Sequence, residues 1–406
     1  MNTIYAKIKE DIYYVGVNDR ATQLFENMWP LPKGIAYNSY LIKDEKTALL
    51  DTVKISKVDG FTRVLELLME GRKLDYLIIN HMEPDHSGSI MQVLELYPDV
   101  TFVGNKKTFK MLDDYFELDP ENKIIVEEGD TLDLGNRQLT FHMTPMVHWP
   151  ESMVTYESKD KILFSQDIFG GYGSVDGSVF DDEVDYNVYE SETRRYYSNI
   201  VGKYSIMAQR AIKKLGTLDI EIICPVHGFV WRKNPKTIIE EYRKWANYET
   251  EKGVVIAYGS MYGNTENMAD HLARYLALEG VSPVKIYDVS KTNISYILSD
   301  IWKYEGVILG ACAYDSGLFP KMYDLVNILK INKLKNHTLG IFGSYGWSGG
   351  AVKGLKKFAE ESKIDTLPTM PEARGRSHEK EDQELRRLAK EMAAALRGEE
   401  IPALEE

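Results

Sequence analysis

Cysteine is scarce in this chain of 406 residues, which contains only Cys224 and Cys312. Two isolated cysteines exclude a fold stapled by several disulfides and are typical of a reducing compartment. The sequence has no Cys-x-x-Cys pair, so it carries neither a four-cysteine iron site nor an iron–sulfur cluster. It also lacks an apolar run long enough to cross a bilayer and a basic-then-apolar leader. These absences together predict a cytoplasmic protein.

Basic clusters are missing as well. Lysine and arginine number 49 against 62 aspartates and glutamates, and the formal net charge is −13. An acidic chain without a basic stripe is a poor partner for nucleic acid or for an anionic membrane. The length, together with a hydrophobic fraction of 44%, is sufficient for two domains with cores of their own.

What the sequence does contain is a dense group of metal-competent side chains directly after the apolar run Tyr76–Ile79. The hexapeptide His81-Met82-Glu83-Pro84-Asp85-His86 offers two imidazoles and two carboxylates. This set is richer in oxygen than the all-His or Cys/His sets typical of zinc, and it suits iron or manganese. The alternative interpretation is a polar turn in which Asp85 and Ser87 cap the following helix.

Three later residues repeat one arrangement, in which an apolar stretch is followed by a possible ligand close to Gly, Pro or an aromatic residue. They are His148, Asp167 and His227. Each alone is more typical of an ordinary loop histidine or turn aspartate. Their shared pattern favours a single metal site assembled from several strand ends.

The motif His-x-Glu-x-Asp-His, followed in order by His148, Asp167 and His227, resembles the metallo-β-lactamase fold. The zinc hydrolases of that fold have His where this chain has Glu83, and this departure resembles the flavodiiron proteins. The resemblance implies two irons in each chain. It assigns His81, Glu83 and His148 to one iron. It assigns Asp85, His86 and His227 to the other, with Asp167 bridging both.

The second half of the chain contains a phosphate-loop pattern. Gly253–Tyr258 is an apolar run typical of a buried parallel strand, and it is followed by Gly259–Glu266 and then by a helical pattern. A strand, a small hydroxylated loop and a helix N-terminus together can hold a phosphate. The loop has neither the Walker nor the Gly-x-Gly-x-x-Gly signature, and it resembles the FMN loop of flavodoxins. We expect FMN to contact Ser260, Met261, Tyr262, Gly263, Asn264 and Thr265.

Two more apolar runs, Gly306–Gly310 and Leu339–Gly343, end in turns rich in glycine and aromatic residues. Ligands of doubly wound folds bind beyond the carboxyl ends of the strands, so these turns extend the predicted FMN site. Tyr314 and Trp347 are candidates to lie against the flavin ring, and core filling is the alternative interpretation of each. The residues predicted here are Ala311, Cys312, Ala313, Tyr314, Asp315, Ser344, Tyr345, Gly346, Trp347 and Gly349.

We therefore predict a metallo-β-lactamase-like αββα sandwich over residues 1–250, followed by a flavodoxin-like doubly wound parallel sheet over residues 251–406. The first domain is expected to include the strands Ile12–Val17, Ala36–Ile42 and Ala48–Asp51. A last helix is expected to begin at a Ser377 cap and to end at Gly398.

The resemblance implies an oxidoreductase that reduces dioxygen to water, nitric oxide to nitrous oxide, or both. Electrons would come from an external donor, rubredoxin or a reduced deazaflavin. A head-to-tail homodimer, or a dimer of such dimers, would place each FMN against the irons of the partner. Tyr197 aligns loosely with a family tyrosine near the irons. Glu26 stands where many relatives have histidine, and this predicts a different environment around the metal pocket.

Two other functions remain open from the sequence. One is a zinc hydrolase of the metallo-β-lactamase fold fused to a flavodoxin, in which zinc would generate a hydroxide nucleophile. The other is a flavodoxin-type electron carrier whose first domain has become structural. Loss of one or more ligands would mark the second, whereas all seven ligand positions are filled.

Overall fold

The computed structural model describes residues 5–401. The chain divides into two compact units, the first ending at Ala246 and the second beginning at Asn247. The change of unit falls a few residues before the boundary expected at residues 250 and 251.

In the described part of the first unit the strands are β1 (Ala6–Lys9), β2 (Ile12–Tyr14), β3 (Val17–Asp19), β4 (Leu24–Phe25), β5 (Trp29–Pro30), β6 (Ile35–Tyr37), β7 (Tyr40–Lys43), β8 (Thr47–Leu50), β9 (Tyr76–Ile78), β10 (Thr101–Gly104), β11 (Lys123–Ile125), β12 (Thr131–Asp133), β13 (Gln138–Met143), β14 (Met153–Glu157), β15 (Ile162–Gln166) and β16 (Ile222–Pro225).

Two sheets face each other in this unit. One has the order β1-β2-β7-β8-β9-β10-β11 and the other β12-β13-β14-β15-β16. A single apolar core contains residues from both, and Tyr40 of the first sheet meets Phe164 of the second at 5.3 Å between ring centroids. The helices are α1 (Val58–Met69), α2 (Pro84–Ser87), α3 (Ile90–Leu96), α4 (Lys106–Phe116), α5 (Glu190–Tyr196), α6 (Ser205–Leu215) and α7 (Pro235–Ala246).

Two of the expected strands are each broken into two shorter ones. The stretch from Ile12 divides into β2 and β3 at Gly16, where a Cβ atom would lie 2.6 Å from the carbonyl oxygen of Tyr37. The stretch from Ala36 divides into β6 and β7 because the amide of Asn38 donates to the carbonyls of Pro225 and Gly228 (2.8 and 3.0 Å). Side-chain bonds to backbone groups compete with the strand ladder, and alternation of residue types alone does not reveal them.

The second unit is a parallel sheet with the order β18-β17-β19-β21-β22, and β20 is paired antiparallel to β19. If the five parallel strands are numbered by their order along the chain, their order across the sheet is 2-1-3-4-5, which is the flavodoxin arrangement. The last helix begins at a His378 cap that is paired with Glu381, one residue after the expected Ser377, and Gly398 ends it in a left-handed conformation (φ 72°). The elements are β17 (Glu251–Gly259), β18 (Val284–Asp288), β19 (Tyr304–Tyr314), β20 (Gly317–Leu318), β21 (Thr338–Tyr345), β22 (Glu372–Arg374), α8 (Asn264–Leu278), α9 (Ile294–Lys303), α10 (Pro320–Asn332), α11 (Ala351–Ser362) and α12 (Glu379–Arg397).

Candidate metal centre and flavin site

The hexapeptide begins three residues after β9 and runs into the short helix α2. Pro84 occupies the first turn of α2, where its missing N–H has no helical partner to lose. The loop is held from below by buried Asp51, whose Oδ1 accepts hydrogen bonds from the backbone N–H groups of Asn80 (2.8 Å) and His81 (3.3 Å). The strand end, the proline and the carboxylate together fix the backbone that presents the ligands.

One group of potential ligands consists of His81, Glu83 and His148, named here the His81 group. Oε2 of Glu83 lies 3.3 Å from Nε2 of His81 and 3.0 Å from Nε2 of His148. The second group, named here the His86 group, consists of Asp85, His86 and His227. The two oxygens of Asp85 lie 3.4 Å from Nε2 of His86 and 3.3 Å from Nε2 of His227. Each group supplies two imidazoles and one carboxylate, so the two are matched in kind.

Asp167 stands between the groups and turns one oxygen toward each. Its Oδ2 lies 3.0 Å from Nε2 of His81 and 3.4 Å from Nε2 of His148. Its Oδ1 lies 3.5 Å from Nε2 of His86 and 3.6 Å from Nε2 of His227. This is the position expected of a carboxylate that bridges two metal ions.

The outer hydrogen bonds of two histidines fix which ring nitrogen faces the cluster. Nδ1 of His227 lies 2.8 Å from the carbonyl oxygen of Ala36, and a carbonyl only accepts, so Nδ1 carries the proton. Nδ1 of His81 donates to Oε1 of Glu151 at 2.8 Å. In both rings the lone pair of Nε2 therefore points into the cluster, which is the orientation a metal ligand requires.

Several nitrogen and oxygen atoms of the cluster face one another without a proton donor between them. Nε2 of His86 and Nε2 of His227 face each other at 3.1 Å. Among residues 5–401, neither carboxylate oxygen of Asp85 has a hydrogen-bond donor although both are buried. Burial lowers the pKa of His148, but Glu83 and Asp167 outweigh it and raise the pKa to about 10. Such surroundings favour positive charge, and mixed imidazole and carboxylate donors fit two ions of the iron type.

A pocket of about 610 Å³ opens beside the two groups. Its wall includes Glu83 and Asp85 on one side and the short hairpin β4–β5 on the other. Glu26 and Asn27 form the hairpin turn with positive φ (47° and 59°), and the indole N–H of Trp29 donates to Oε2 of Glu26 at 3.1 Å. Glu26 is an exposed residue, and partial desolvation in the pocket together with the negative charge of Glu83 raises its pKa. The segment containing Glu26 thus borders the metal pocket.

The predicted phosphate loop lies at the carboxyl end of β17, and Gly263 at the start of α8 has φ 90°. No side chain in the described part of the chain caps this helix, so its first N–H groups are available to an anion. The hydroxyl of Thr265 meets that of Ser344 at 2.9 Å, which joins the first and third predicted turns. A cavity of about 230 Å³ lies there, and it is lined by Ser260, Met261, Tyr262, Asn264, Thr265, Cys312, Ala313, Tyr314, Asp315, Ser344, Tyr345, Gly346, Trp347 and Gly375.

Three residues predicted for this site are not part of the cavity wall: Gly263, Ala311 and Gly349. Ala311 is fully buried within β19, whereas Gly263 shapes the loop through its backbone. Gly375 lines the cavity and was missed because it follows a strand too short to recognise. The core-filling alternative for Tyr314 and Trp347 is wrong, since the two residues are 47% and 81% exposed. Exposed aromatic side chains at a cavity rim are suited to cover a flat ligand.

Comparison with known proteins agrees with both halves. A family model described as "ODP family beta lactamase" matches residues 35–228, and one described as "Flavodoxin" matches residues 256–388. The chain is 35% identical to a Vibrio vulnificus protein named anaerobic nitric oxide reductase flavorubredoxin, over 88% of this chain and 74% of that one. The chain belongs to the flavodiiron protein family.

Solved structures of the flavodiiron family have the same fold. Rubredoxin oxygen:oxidoreductase from Desulfovibrio gigas superposes with a TM-score of 0.93 at 31% identity, covering 97% of this chain and 99% of that one. The flavodiiron protein from Giardia intestinalis superposes with a TM-score of 0.93 at 25% identity, covering 98% of each. The predicted family and fold class are confirmed, and the chain is an oxidoreductase whose cofactors are FMN and a diiron centre.

Within this flavodiiron chain, two residues at the metal centre escaped the sequence analysis. Glu151 contacts His81, and the hydroxyl of Tyr196 donates to Oδ1 of Asp167 at 2.8 Å. The expectation for Tyr197 needs correction, because its hydroxyl pairs with Oγ of Ser205 at 2.9 Å while its ring packs on Tyr242. The tyrosine that contacts the cluster is therefore Tyr196 and not Tyr197. The carboxylate three positions after His148 was the available signal for Glu151.

In the described part of this flavodiiron protein, residues 5–401, none of the helices combines the length and the apolar character needed to cross a membrane.

Proposed function

We propose that this chain reduces dioxygen to water, nitric oxide to nitrous oxide, or both, at a diiron centre that receives electrons through FMN. The observation that carries the proposal is the carboxylate-rich cluster beside an open pocket. The D. gigas relative is named for oxygen reduction and the V. vulnificus relative for nitric oxide reduction. These names support both gases and do not rank them.

The His81 group would hold one iron and the His86 group the other, with Asp167 between them. Two irons that cycle between ferrous and ferric states would supply the electrons of the reaction, with FMN as their relay. The chain's own residues supply geometry and charge. The carboxylates of Glu83, Asp85 and Asp167 offset the positive charge of the ions, and the bonds from Glu151 and Ala36 hold two imidazoles in the ligating tautomer.

Protons are needed as well as electrons. Reduction of one dioxygen to two waters consumes four protons, and coupling of two nitric oxide molecules to nitrous oxide and water consumes two. Glu26 is the titratable residue of the hairpin turn that lines the pocket, across from Glu83 and Asp85, and its carboxyl would stand where a proton could be passed to a gas bound in that pocket. We assign to this carboxyl the delivery of a proton to the oxygen atom being reduced.

The electron donor is proposed to be separate from this chain. The sequence has only two cysteines, too few for a rubredoxin-like iron site, and the two candidate donors remain rubredoxin and a reduced deazaflavin. A homodimer in which the FMN of one protomer serves the irons of its partner is supported by the exposed ring of Trp347 at the cavity rim. Sedimentation of the purified protein tests the dimer, and donor assays with each carrier test the source of electrons.

Stopped-flow mixing tests the function. The fully reduced, iron-loaded protein is mixed with dioxygen or with nitric oxide, and flavin reoxidation is followed by absorbance. We expect reoxidation by at least one gas to be much faster than that of free FMN, and the two rates rank the substrates. Reoxidation no faster than free FMN with both gases would contradict the proposal and favour the zinc hydrolase fusion.

A further inference from the structure

The two metal positions have matched inner ligands but unequal outer contacts. Each group contributes two imidazoles and one carboxylate, and Asp167 turns one oxygen toward each of them. Any difference in electron donation to the two ions must therefore arise from the atoms behind the ligands. Two of those contacts differ between the groups, and both act in the same direction.

The first difference lies behind the histidines. Nδ1 of His81 donates to the carboxylate of Glu151 at 2.8 Å, whereas Nδ1 of His227 donates to the neutral carbonyl of Ala36 at 2.8 Å. A carboxylate draws the Nδ1 proton more strongly than a carbonyl does, and this raises the basicity of the opposite nitrogen. His81 is consequently the stronger electron donor.

Glu151 is buried beside the site and held there by several hydrogen bonds. The residue is 1% exposed, and the Oε1 atom that binds His81 also accepts the backbone N–H of Met82 at 2.9 Å. Its backbone carbonyl accepts a hydrogen bond from the amide of Asn105, at the start of α4. A buried carboxylate requires hydrogen-bond donors to offset the cost of desolvation. One of the donors to Glu151 is His81, the first ligand residue along the chain.

The second difference lies on Asp167, between the two groups. Its Oδ1, which faces the His86 group, accepts the hydroxyl of Tyr196 at 2.8 Å. Its Oδ2, which faces the His81 group, lies near the ring nitrogens proposed to bind the metal, Nε2 of His81 at 3.0 Å and Nε2 of His148 at 3.4 Å, and among residues 5–401 no hydroxyl corresponds to that of Tyr196 on this side. A hydrogen bond withdraws electron density from the oxygen that accepts it. The bridge thus donates more strongly toward the His81 group than toward the His86 group.

We propose that Glu151 and Tyr196 make the diiron centre redox-inequivalent, with the lower reduction potential at the His81 group. Stronger donation stabilises the ferric ion, so the iron in this group would be the last to be reduced and the first to be oxidised. Glu151 and Tyr196 are positioning residues, which act through His81 and Asp167. The inference rests on the proposed diiron function.

A reductive titration of the iron-loaded protein tests this assignment. Wild type, Glu151→Gln and Tyr196→Phe are titrated with dithionite, and frozen samples are measured by EPR and Mössbauer spectroscopy for the mixed-valence state. Glutamine can still accept the bond from His81, so this variant removes charge and keeps the ring orientation. Glu157→Gln is the matched control, because this buried carboxylate at the end of β14 binds the backbone N–H groups of Lys159 and Asp160 instead.

In wild type we expect two separate one-electron steps and a mixed-valence state with the ferric ion localised on one iron. Glu151→Gln should raise the lower potential and Tyr196→Phe should lower the higher one. Either change should reduce the comproportionation constant by about tenfold or more, whereas Glu157→Gln should leave it unchanged.

Unchanged potentials in both variants would overturn the inference. If Glu151→Gln failed to fold, Tyr196→Phe alone would decide it. Absence of iron from the wild-type protein would overturn the diiron proposal itself, so the two failures are distinguishable.

Discussion

Oε2 of Glu83 lies 3.0 Å from Nε2 of His148. This carboxylate occupies the position at which zinc hydrolases of the same fold have histidine, and it makes the His81 group harder and more anionic. We predict that Glu83→Ala abolishes iron binding to the His81 group while FMN remains bound at wild-type stoichiometry. Glu83→His should restore metal binding but favour zinc over iron, with loss of gas reduction.

Metal and flavin content after purification measures both effects. Glu70→Ala is a control, since this glutamate is exposed and forms a surface ion pair with Lys43. Retention of wild-type iron content and turnover by Glu83→Ala would contradict the ligand assignment.

Glu26 should matter for turnover more than for assembly. We predict that Glu26→Gln keeps the iron and FMN content and slows gas reduction by about tenfold or more, because the pocket loses a carboxyl able to deliver a proton. Glu117→Gln is the matched control. The backbone of Glu117 is also in the left-handed conformation (φ 51°), but this residue ends α4 and does not line the pocket. Equal rates for the two variants under stopped-flow conditions would remove Glu26 from the reaction.

Trp347 should separate cofactor binding from electron transfer. The phosphate loop around Thr265 remains intact in Trp347→Ala, so we expect about one FMN per chain by absorbance. Reoxidation of the flavin by gas should slow by about tenfold or more, since the exposed ring is proposed to lie where the flavin faces the partner's irons. Tyr323→Ala is the control, because Tyr323 is 61% exposed and lies on α10 outside the cavity. Flavin reoxidation at the wild-type rate in protein that is shown to be monomeric would contradict the proposed dimer.

Asp19 accepts hydrogen bonds from the hydroxyl and the backbone N–H of Thr22, a residue that lines the pocket. Burial raises its pKa, but the hydroxyl and N–H of Thr22, the N–H of Ala21 and the Lys57 ammonium outweigh it and lower the pKa to about 2. Because the folded pKa is depressed, the stabilisation is complete above the unfolded value near 4 and disappears as pH falls toward 2.

We predict that Asp19→Asn destabilises the protein by on the order of 1–2 kcal/mol at pH 7, after allowance for solvent screening. The difference from wild type should shrink between pH 4 and pH 2. Urea denaturation followed by tryptophan fluorescence across this range measures it. A difference that stays constant with pH would mean that the ionised carboxylate is not responsible.

The residues proposed to hold the cofactors were largely predictable as a spatial cluster, because each follows a recognisable apolar strand. His81, His148 and His227 could be selected on that basis, and the structure brings them together with the carboxylates. The grouping of seven ligands around two ions came from family resemblance, since spacing along the chain does not report which strand ends meet in space.

The residues behind the ligands were not predictable. Glu151 and Tyr196 reach the cluster through the tertiary fold. The position of Glu151 three residues after His148 does not tell that it contacts His81, and nothing in the local sequence distinguishes Tyr196 from a packed tyrosine. The confusion of Tyr196 with Tyr197 shows the limit, because Tyr197 lies in the π-turn Tyr197–Val201 that follows α5, and helical spacing alone does not decide which ring faces inward.

The donor set distinguishes an iron-based redox site from the zinc site of a hydrolase. Metal and flavin analysis of the anaerobically purified protein, with Mössbauer spectroscopy of a sample enriched in ⁵⁷Fe, decides between the two. We expect about two irons and one FMN per chain, with spectra of a coupled diiron pair. Stoichiometric zinc at the same seven side chains, with iron absent even after growth in excess iron, would contradict it.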